Sequence, residues 1–354
     1  MSMKIKDIIQ HLETIAPLDY QEAYDNAGLL TGNLNDECTN ALLCLDSTEE
    51  VVDEAIEKSC NLIIAHHPII FSGLKKITGK NYIERTLIKA IKNDIAIYAI
   101  HTNLDNVFDG VNQKIAEKLG LSNRQVLIQR PQTTRKISVS VPLAHADSVR
   151  HALTKAGAGT LVDYDESSFS MLGVGIAADQ KGQQASMKLD ILFPAHLQSQ
   201  VLAALRSSHP SPKPSYEILS IQNTYSQIGA GMVGDLAEDT STTEFLKHLK
   251  STMKADCIRH TRLLKKKVRR IAVCGGAGSF LLPQAIQAKA DIFITADFKY
   301  HQFFDANEQI VIADIGHYES EQYTTEILQS ILSQKFPNFA PIISQINTNP
   351  IKYL

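Results

Sequence analysis

The sequence predicts an α/β protein: a discontinuous outer α/β domain with mainly parallel sheets, interrupted by a ferredoxin-like α+β insert. Three observations predict it. Strand-length apolar runs alternate with amphipathic helical segments in the first third. At QRPQTTRK, near residue 130, a proline and a polar, aperiodic stretch break that texture. The alternation returns after GAGMVGDLAED, residues 229–239. A chain of 354 residues exceeds one typical domain, so two cores are expected.

The elements follow in order. TNALLCLD (39–46), NLIIAHH (61–67) and IAIYAIH (95–101) read as strands, separated by the helical patterns STEEVVDEAIEKSC and NYIERTLIKAIKND. Strands alternating with helices in this way imply a parallel sheet. Ser47 or Thr48 can cap the first of these helices, with Glu50 placed to complete the capping arrangement. Past the break come strand KISVSVPL, helix ADSVRHALTKAG, a strand pair GTLVDYD and SFSMLGVGI, strand MKLDILFP, helix AHLQSQVLAALRSSH and strand SYEILSI. We read this as the βαββαβ ferredoxin-like order. The outer domain resumes with helix TTEFLKHLKSTM, strand RRIAVCGG, helix LLPQAIQAKA, strands DIFITAD and IVIADI, and one long helix from His317 to about Gln334. The expected division is 1–130 with 226–354 for the outer domain and 131–225 for the insert, an arrangement that requires the insert's two ends to lie close together.

Composition narrows the function. A hydrophobic fraction of 44%, a mean hydropathy of −0.10 and a formal charge of −3 are ordinary for a globular protein and provide no overall attraction to nucleic acid or an anionic membrane. The basic run RLLKKKVRR (262–270) lacks interleaved aromatics and leads into a strand, so it reads as a solvated connection. The opening MSMKIKDIIQHLETIAP has no apolar leader core and no run reaches membrane-spanning length, so a cytoplasmic protein is expected. Cys38, Cys44, Cys60, Cys257 and Cys274 form no C-x-x-C pair and read as reduced core residues.

The chemistry gathers at strand ends. Open parallel sheets collect ligands beyond the carboxyl ends of their strands, and His66 and His67 stand there, followed by Pro68. The pleat points adjacent side chains apart, so the two histidines can address different atoms. The next strand ends on His101, with Asp105 just beyond, and IADIGHYESE opens a helix with His317 and Glu321 on one face at i, i+4. A single strand-end histidine reads more readily as a hydrogen-bonded residue; the three clusters together read as a metal site. Five ligands are too many for one catalytic ion with open positions. If Glu321 bridges, two ions each receive three: His67, Asp105 and Glu321 for one, His66, His317 and Glu321 for the other. Two divalent ions against two carboxylates leave about +2 of charge, which favours a small anionic or nucleotide-like ligand. Histidine and carboxylate donors suit Zn first, with Fe, Mn or Co as alternatives, rather than Ca or Mg.

Other residues rank lower. His101 leads as a proton-transfer or catalytic candidate, ahead of Asp297 and His301. Asp25 and Asn26 either approach the metals through their loop or stabilise a turn. CGGAGSF (274–280) lacks the Lys-Ser/Thr of a P-loop and reads as a tight strand-to-helix turn. No G-x-S-x-G supports serine-hydrolase chemistry.

DNAGLLTG, LCLDSTEEVVDEAI, LIIAHHPIIF, YAIHTNLDNVFDGVN, CGGAGSF, FITADFKYH and GHYESE together resemble the Nif-three-like family, also called GTP cyclohydrolase I type 2 homologs. The motifs lie in the family's order and span the outer domain. The resemblance implies a cytoplasmic protein with a dinuclear metal centre and a ring-shaped homohexamer whose sites face an internal cavity. It carries metal ligation to His66, His67, Asp105, His317 and Glu321. It also implies a PII-like or CutA-like insert, whose beginning VPLAHADSVRHALTKAGAGTLVDYDESSFS resembles. HPSPKPSYE departs from the family's His-Pro-Tyr-Glu-Glu run, so His209 is assigned a structural role. Two functions fit: a metal-dependent hydrolase of a nucleotide-like or phosphorylated small molecule, with opening of the GTP imidazole ring as the version the family name implies, or a non-enzymatic metal-binding oligomeric regulator whose insert senses a ligand or partner. The open coordination positions favour the hydrolase.

Overall fold

The computed structural model describes residues 3–161, 163–164, 167–176 and 183–354. It divides into two compact units, one from the amino terminus to Ile128 and from Gly229 to Leu354, the other Gln129–Ile228.

The first unit holds two sheets. In the five-stranded sheet the order is Gly28–Thr31, Ala96–Ala99, Leu62–Ala65, Ala41–Cys44, Ile342–Ile343, and all neighbours are parallel except the first pair. Its strands are apolar on both faces because helices cover them, as buried parallel strands require. The helix Glu49–Glu57 is capped by Thr48, whose side chain accepts from Val51 N–H, and the helix Tyr82–Lys92 is capped by Asn81. Leu42, Ile63 and Ile97 pack beneath them with Val51, Val52 and Leu87 in one buried cluster.

The second sheet runs Arg259–His260, Val311–Asp314, Ile292–Ala296, Lys267–Ala277, Gly229–Ser241, Ser122–Gln129. The central pairs, Val311–Asp314 with Ile292–Ala296 and the latter with Lys267–Ala277, are parallel; Arg259–His260 and Gly229–Ser241 pair antiparallel with Val311–Asp314 and Lys267–Ala277. The expectation of mainly parallel sheets therefore holds for the first sheet and is corrected to a mixed sheet for the second. The antiparallel strand Gly229–Ser241 comes from GAGMVGDLAED, whose small and polar residues hide the period-2 signal. The long last helix is also two pieces, His317–Glu321 and Thr324–Lys335.

In the second unit the order is strand, helix, strand, strand, helix, strand. The sheet runs Ser168–Ile176, Gln183–Pro194, Thr134–Pro142, Tyr216–Ile221, antiparallel throughout, with helices Ala146–Lys155 and Gln198–Ser208. This is the split βαβ arrangement. Ile137, Val139, Leu189, Ile191 and Phe193 meet Val149, Leu153, Val201 and Leu205 in its core. The strand expected at GTLVDYD is not formed: its described residues are turn or irregular, and residues 162 and 165 lie outside the described set. Gly157 and Gly159 adopt positive φ there, which breaks an extended run.

Register in the first unit sets the position of the functional residues. Cys44 is level with Ala65, and Ala65 with Ala99, so Asp46, His66, His67 and His101 emerge along one edge. In the second sheet Thr295 is level with Asp314, so Asp297 and His317 emerge together. Both sets of carboxyl ends meet at the loop and short helix carrying Asp105. Gly110 closes that loop, and a β-carbon there would overlap the carbonyl oxygen of Leu104. Gly110→Ala is expected to lower the unfolding free energy by about 3 kcal/mol, read as a lower urea midpoint at unchanged m-value; an unchanged midpoint would show that the loop yields freely.

Candidate metal centre

Side-chain hydrogen bonds fix the histidines by their inner nitrogens. His66 Nδ1 donates to the carbonyl of Ile100 at 2.8 Å, His67 Nδ1 to Asp46 Oδ1 at 2.8 Å, His101 Nδ1 to Asp25 Oδ1 at 2.8 Å, and His317 Nδ1 to Asp297 Oδ2 at 2.6 Å. Each bond holds a proton on Nδ1 and turns Nε2 toward a shared space, as in histidines that ligate metals.

Glu321 occupies the centre and is 3% exposed. Its Oε2 lies 2.9 Å from His67 Nε2 and 3.1 Å from His317 Nε2, while its Oε1 lies 3.8 Å from His66 Nε2. Asp105 Oδ1 lies 3.6 Å from His66 Nε2. The side chains thus form His66, Asp105 and Glu321 on one hand and His67, His317 and Glu321 on the other, with each Glu321 oxygen facing one group. Both could hold a metal ion, as could His66, His67 and His101. The expected sharing of the two histidines is corrected: His66 goes with Asp105 and His67 with His317. The physical reason is the anchoring. The bond to Ile100 draws His66 toward the strand that leads to Asp105, whereas Asp46 draws His67 to the opposite side, against the His317 helix.

The donor set passes a test of fit. Among the described residues, His66 Nε2 and Asp105 Oδ1 are buried with no hydrogen-bond partner, and a buried polar atom left so is costly unless something else satisfies it. They face each other across a gap too long for a hydrogen bond, the arrangement of two donors to a common cation.

Electrostatics follow from burial and proximity. Although burial raises it, the carboxyl of Glu321 is held well below its usual range by His317, His66 and His67. Burial and the neighbouring Glu321 push Asp105 up to about 7. Burial disfavours the charged form of His67 and of His317, yet Asp46 and Glu321 raise the first to about 9, while Glu321 and Asp297 raise the second to about 11. Protons thus neutralise the buried carboxylates where a cation would otherwise do so.

The glycine turn serves packing, as expected. Its amides are engaged internally: Gly275 N–H donates to Asn112, Gly276 N–H to Ser320 and Gly278 N–H to Thr295. Gly276 has φ +60, and a β-carbon there would overlap Glu321 Oε1. Asp25 is placed behind His101 rather than among the ligands, and its own carboxyl, despite burial, is held down at about 2 by His101 and Thr102. Asn26 donates to the carbonyl of Ile70, 44 residues along the chain, so its side chain ties two loops together rather than stabilising its own turn. Asp297 orients His317, whereas His301 is exposed and packs against Tyr300 and Phe304, apart from the centre. His209 bonds to Ser211 and Ser140 within the insert. Asp46 was missed by sequence reasoning; its signal is an acidic residue immediately beyond the strand neighbouring His67.

A cavity of about 460 Å³ opens onto His67, His101, Asp105, His317 and Glu321 and is flanked by the exposed Tyr24, Phe71, Phe280 and Ile351. Among the described residues no helix is long and apolar enough to cross a membrane.

The Duf34/NIF3 (NGG1p interacting factor 3) family profile matches residues 3–350. A protein of Halalkalibacterium halodurans called GTP cyclohydrolase 1 type 2 homolog is 34% identical over 98% of this chain and 98% of its own length, and one of Bacillus subtilis with the same name is 34% identical over 100% and 99%. The crystal structure of a Bacillus cereus protein related to NIF3 superposes with a TM-score of 0.88 at 36% identity, covering all of both chains. A Staphylococcus aureus protein gives 0.81 at 31%, covering 100% of this chain and 99% of its own. With its whole length matched and its fold shared, the chain belongs to the DUF34/NIF3 family.

Proposed function

We propose that the chain holds two divalent cations, Zn first among the candidates, and acts as a metal-dependent hydrolase on a nucleotide-like or phosphorylated small molecule. The observation that carries this reading is the division of the Glu321 carboxylate, one oxygen toward His66 and Asp105 and the other toward His67 and His317. Two bound divalent ions would supply Lewis-acid polarisation of a substrate oxygen and acidification of a water molecule.

The protein's own residues do the rest. Asp25 keeps the His101 Nδ1 proton in place, so the Nε2 lone pair is free to take a proton from water and return it to a leaving group. The ring of His101 lies 5.3 Å from that of His66 and 5.2 Å from that of His67, within reach of both clusters. Exposed Tyr24, Phe71 and Phe280 beside the cavity suit a planar, base-like group, while the cations would take its anionic part. The names of the bacterial relatives support GTP as the first substrate to try.

The reading extends to the other units of organisation. Residues 131–225 are taken as a PII/CutA-like module, supported by the split βαβ order. The protein is taken to work in the cytoplasm, with its cysteines free. A homohexameric ring would cover exposed apolar side chains such as Tyr300 and Phe304, whose rings lie 5.7 Å apart.

Gently purified protein is expected to carry about two ions per chain, and Glu321→Ala to lose most of both; retention of both would defeat the bridging role. In the same titration metal affinity is expected to rise with pH across the neutral range, because binding must displace the protons that His67 and His317 hold up to about 9 and about 11. A pH-independent affinity would contradict the direct ligation of these histidines.

Turnover of a nucleotide panel including GTP, with formate and phosphate followed separately, is expected to be metal-dependent, abolished in Glu321→Ala and reduced about 10²–10⁴-fold in His101→Asn. Absence of release from GTP would remove that substrate, and equal turnover by His101→Asn would remove the proton-transfer role. Sedimentation equilibrium should give six times 39.1 kDa; a monomer would overturn the ring.

A further inference from the structure

The segment after strand Ile342–Ile343 runs beside the strand end that leads to Asp46. Ile342 and Ile343 pair in parallel with Leu42 and Leu43, and Ser344 N–H continues the ladder to the carbonyl of Leu43. Buried Glu54 ties the segment down from the helix behind, accepting from Ser344 Oγ and, at 2.8 Å, from Gln345 N–H. Two adjacent residues then reach the centre. Thr348 Oγ1 donates to Asp46 Oδ2 at 2.5 Å, and the other oxygen of Asp46 is the one that holds His67. Asn349 Nδ2 donates to Glu319 Oε1 at 2.9 Å. Glu319 is itself buried and lies on the short helix between His317 and Glu321.

Resting on the two-cation reading, we infer that Thr348 and Asn349 form a clamp that sets one of the two cation positions, that of His67 and His317, and not the other. One residue braces the wall carrying His67 and its neighbour braces the wall carrying His317. The position of His66 and Asp105 is built otherwise: His66 is fixed by the Ile100 carbonyl within the sheet. Thr348 and Asn349 are positioning residues, acting through Asp46 and Glu319. A hydroxyl on one oxygen of Asp46 leaves the second oxygen aimed at His67 Nδ1. Without it the carboxylate is free to rotate, and the imidazole loses its fixed direction.

The test uses the full-length chain, stripped with chelator and titrated with Co²⁺ alone, followed by calorimetry and by the visible absorption of the bound ion. Wild type, Thr348→Ser, Thr348→Val and the double variant Thr348→Val with Asn349→Leu are compared. The expected result is two Co²⁺ per wild-type chain. In the double variant one ion binds as before and the other about 10–100-fold more weakly; Thr348→Ser, which keeps the hydroxyl, retains both. A segment that merely stabilised the fold would lower the unfolding temperature without separating the two ions. Equal constants in all four proteins, or an equal loss at both positions, would overturn the clamp while leaving the two-cation reading intact. Fewer than two Co²⁺ on the wild type would overturn that reading and the clamp with it. If the double variant fails to fold, Thr348→Val against Thr348→Ser makes the same comparison with Asn349 in place.

Discussion

The organisation of the first unit depends on a buried carboxylate whose charge partners, among the described residues, are histidines. Glu321 is surrounded by the Nε2 atoms of His66, His67 and His317 and faces a second carboxyl, Asp105. Removing a charge from water costs several kcal/mol unless it is compensated. Histidines can compensate in two ways, by carrying protons or by yielding lone pairs to a cation. The raised values of His67 and His317 and the depressed value of Glu321 describe the first way; the unpartnered His66 Nε2 and Asp105 Oδ1 prepare the second.

Around this centre the sheets act as a jig. Parallel pairing levels the carboxyl ends of neighbouring strands, so side chains far apart in sequence emerge side by side. The histidines are then aimed individually, each by an acceptor at Nδ1, three of them aspartates from separate loops. Asp25 shows why the distinction between ligand and support matters. Its carboxylate is spent on His101 and Thr102, which makes it a poor ligand but a firm brace. The glycine turn solves a related problem of space. Gly276 lets the backbone approach the Glu321 carboxylate where any β-carbon would intrude, and its N–H donates to Ser320 Oγ on the helix that carries Glu321.

Much of this was legible in the chain. NLIIAHH declared a buried strand ending on two histidines, the i, i+4 spacing put His317 and Glu321 on one face, and Thr48 was a readable cap that the structure uses. Strand Gly229–Ser241 was not legible, because glycines at 229, 231 and 234 remove the alternating side chains on which a period-2 reading relies. GTLVDYD misled in the opposite sense, since its β-favouring residues follow a turn set by Gly157 and Gly159.

The sequence by itself determined which residues are available for the centre: local patterns place histidines and carboxylates at strand ends and helix starts, and those patterns are set by side chains a few positions apart. Only the tertiary structure decided how they are shared. Whether His66 or His67 faces Asp105 depends on which neighbour captures each Nδ1, and those neighbours, Ile100 and Asp46, lie 34 and 21 residues away along the chain. The same holds for Thr348, which meets Asp46 across 302 residues through a parallel pairing of only two. Side-chain period and spacing report a face or an edge; a hydrogen bond between distant strands exists only once the chain has folded.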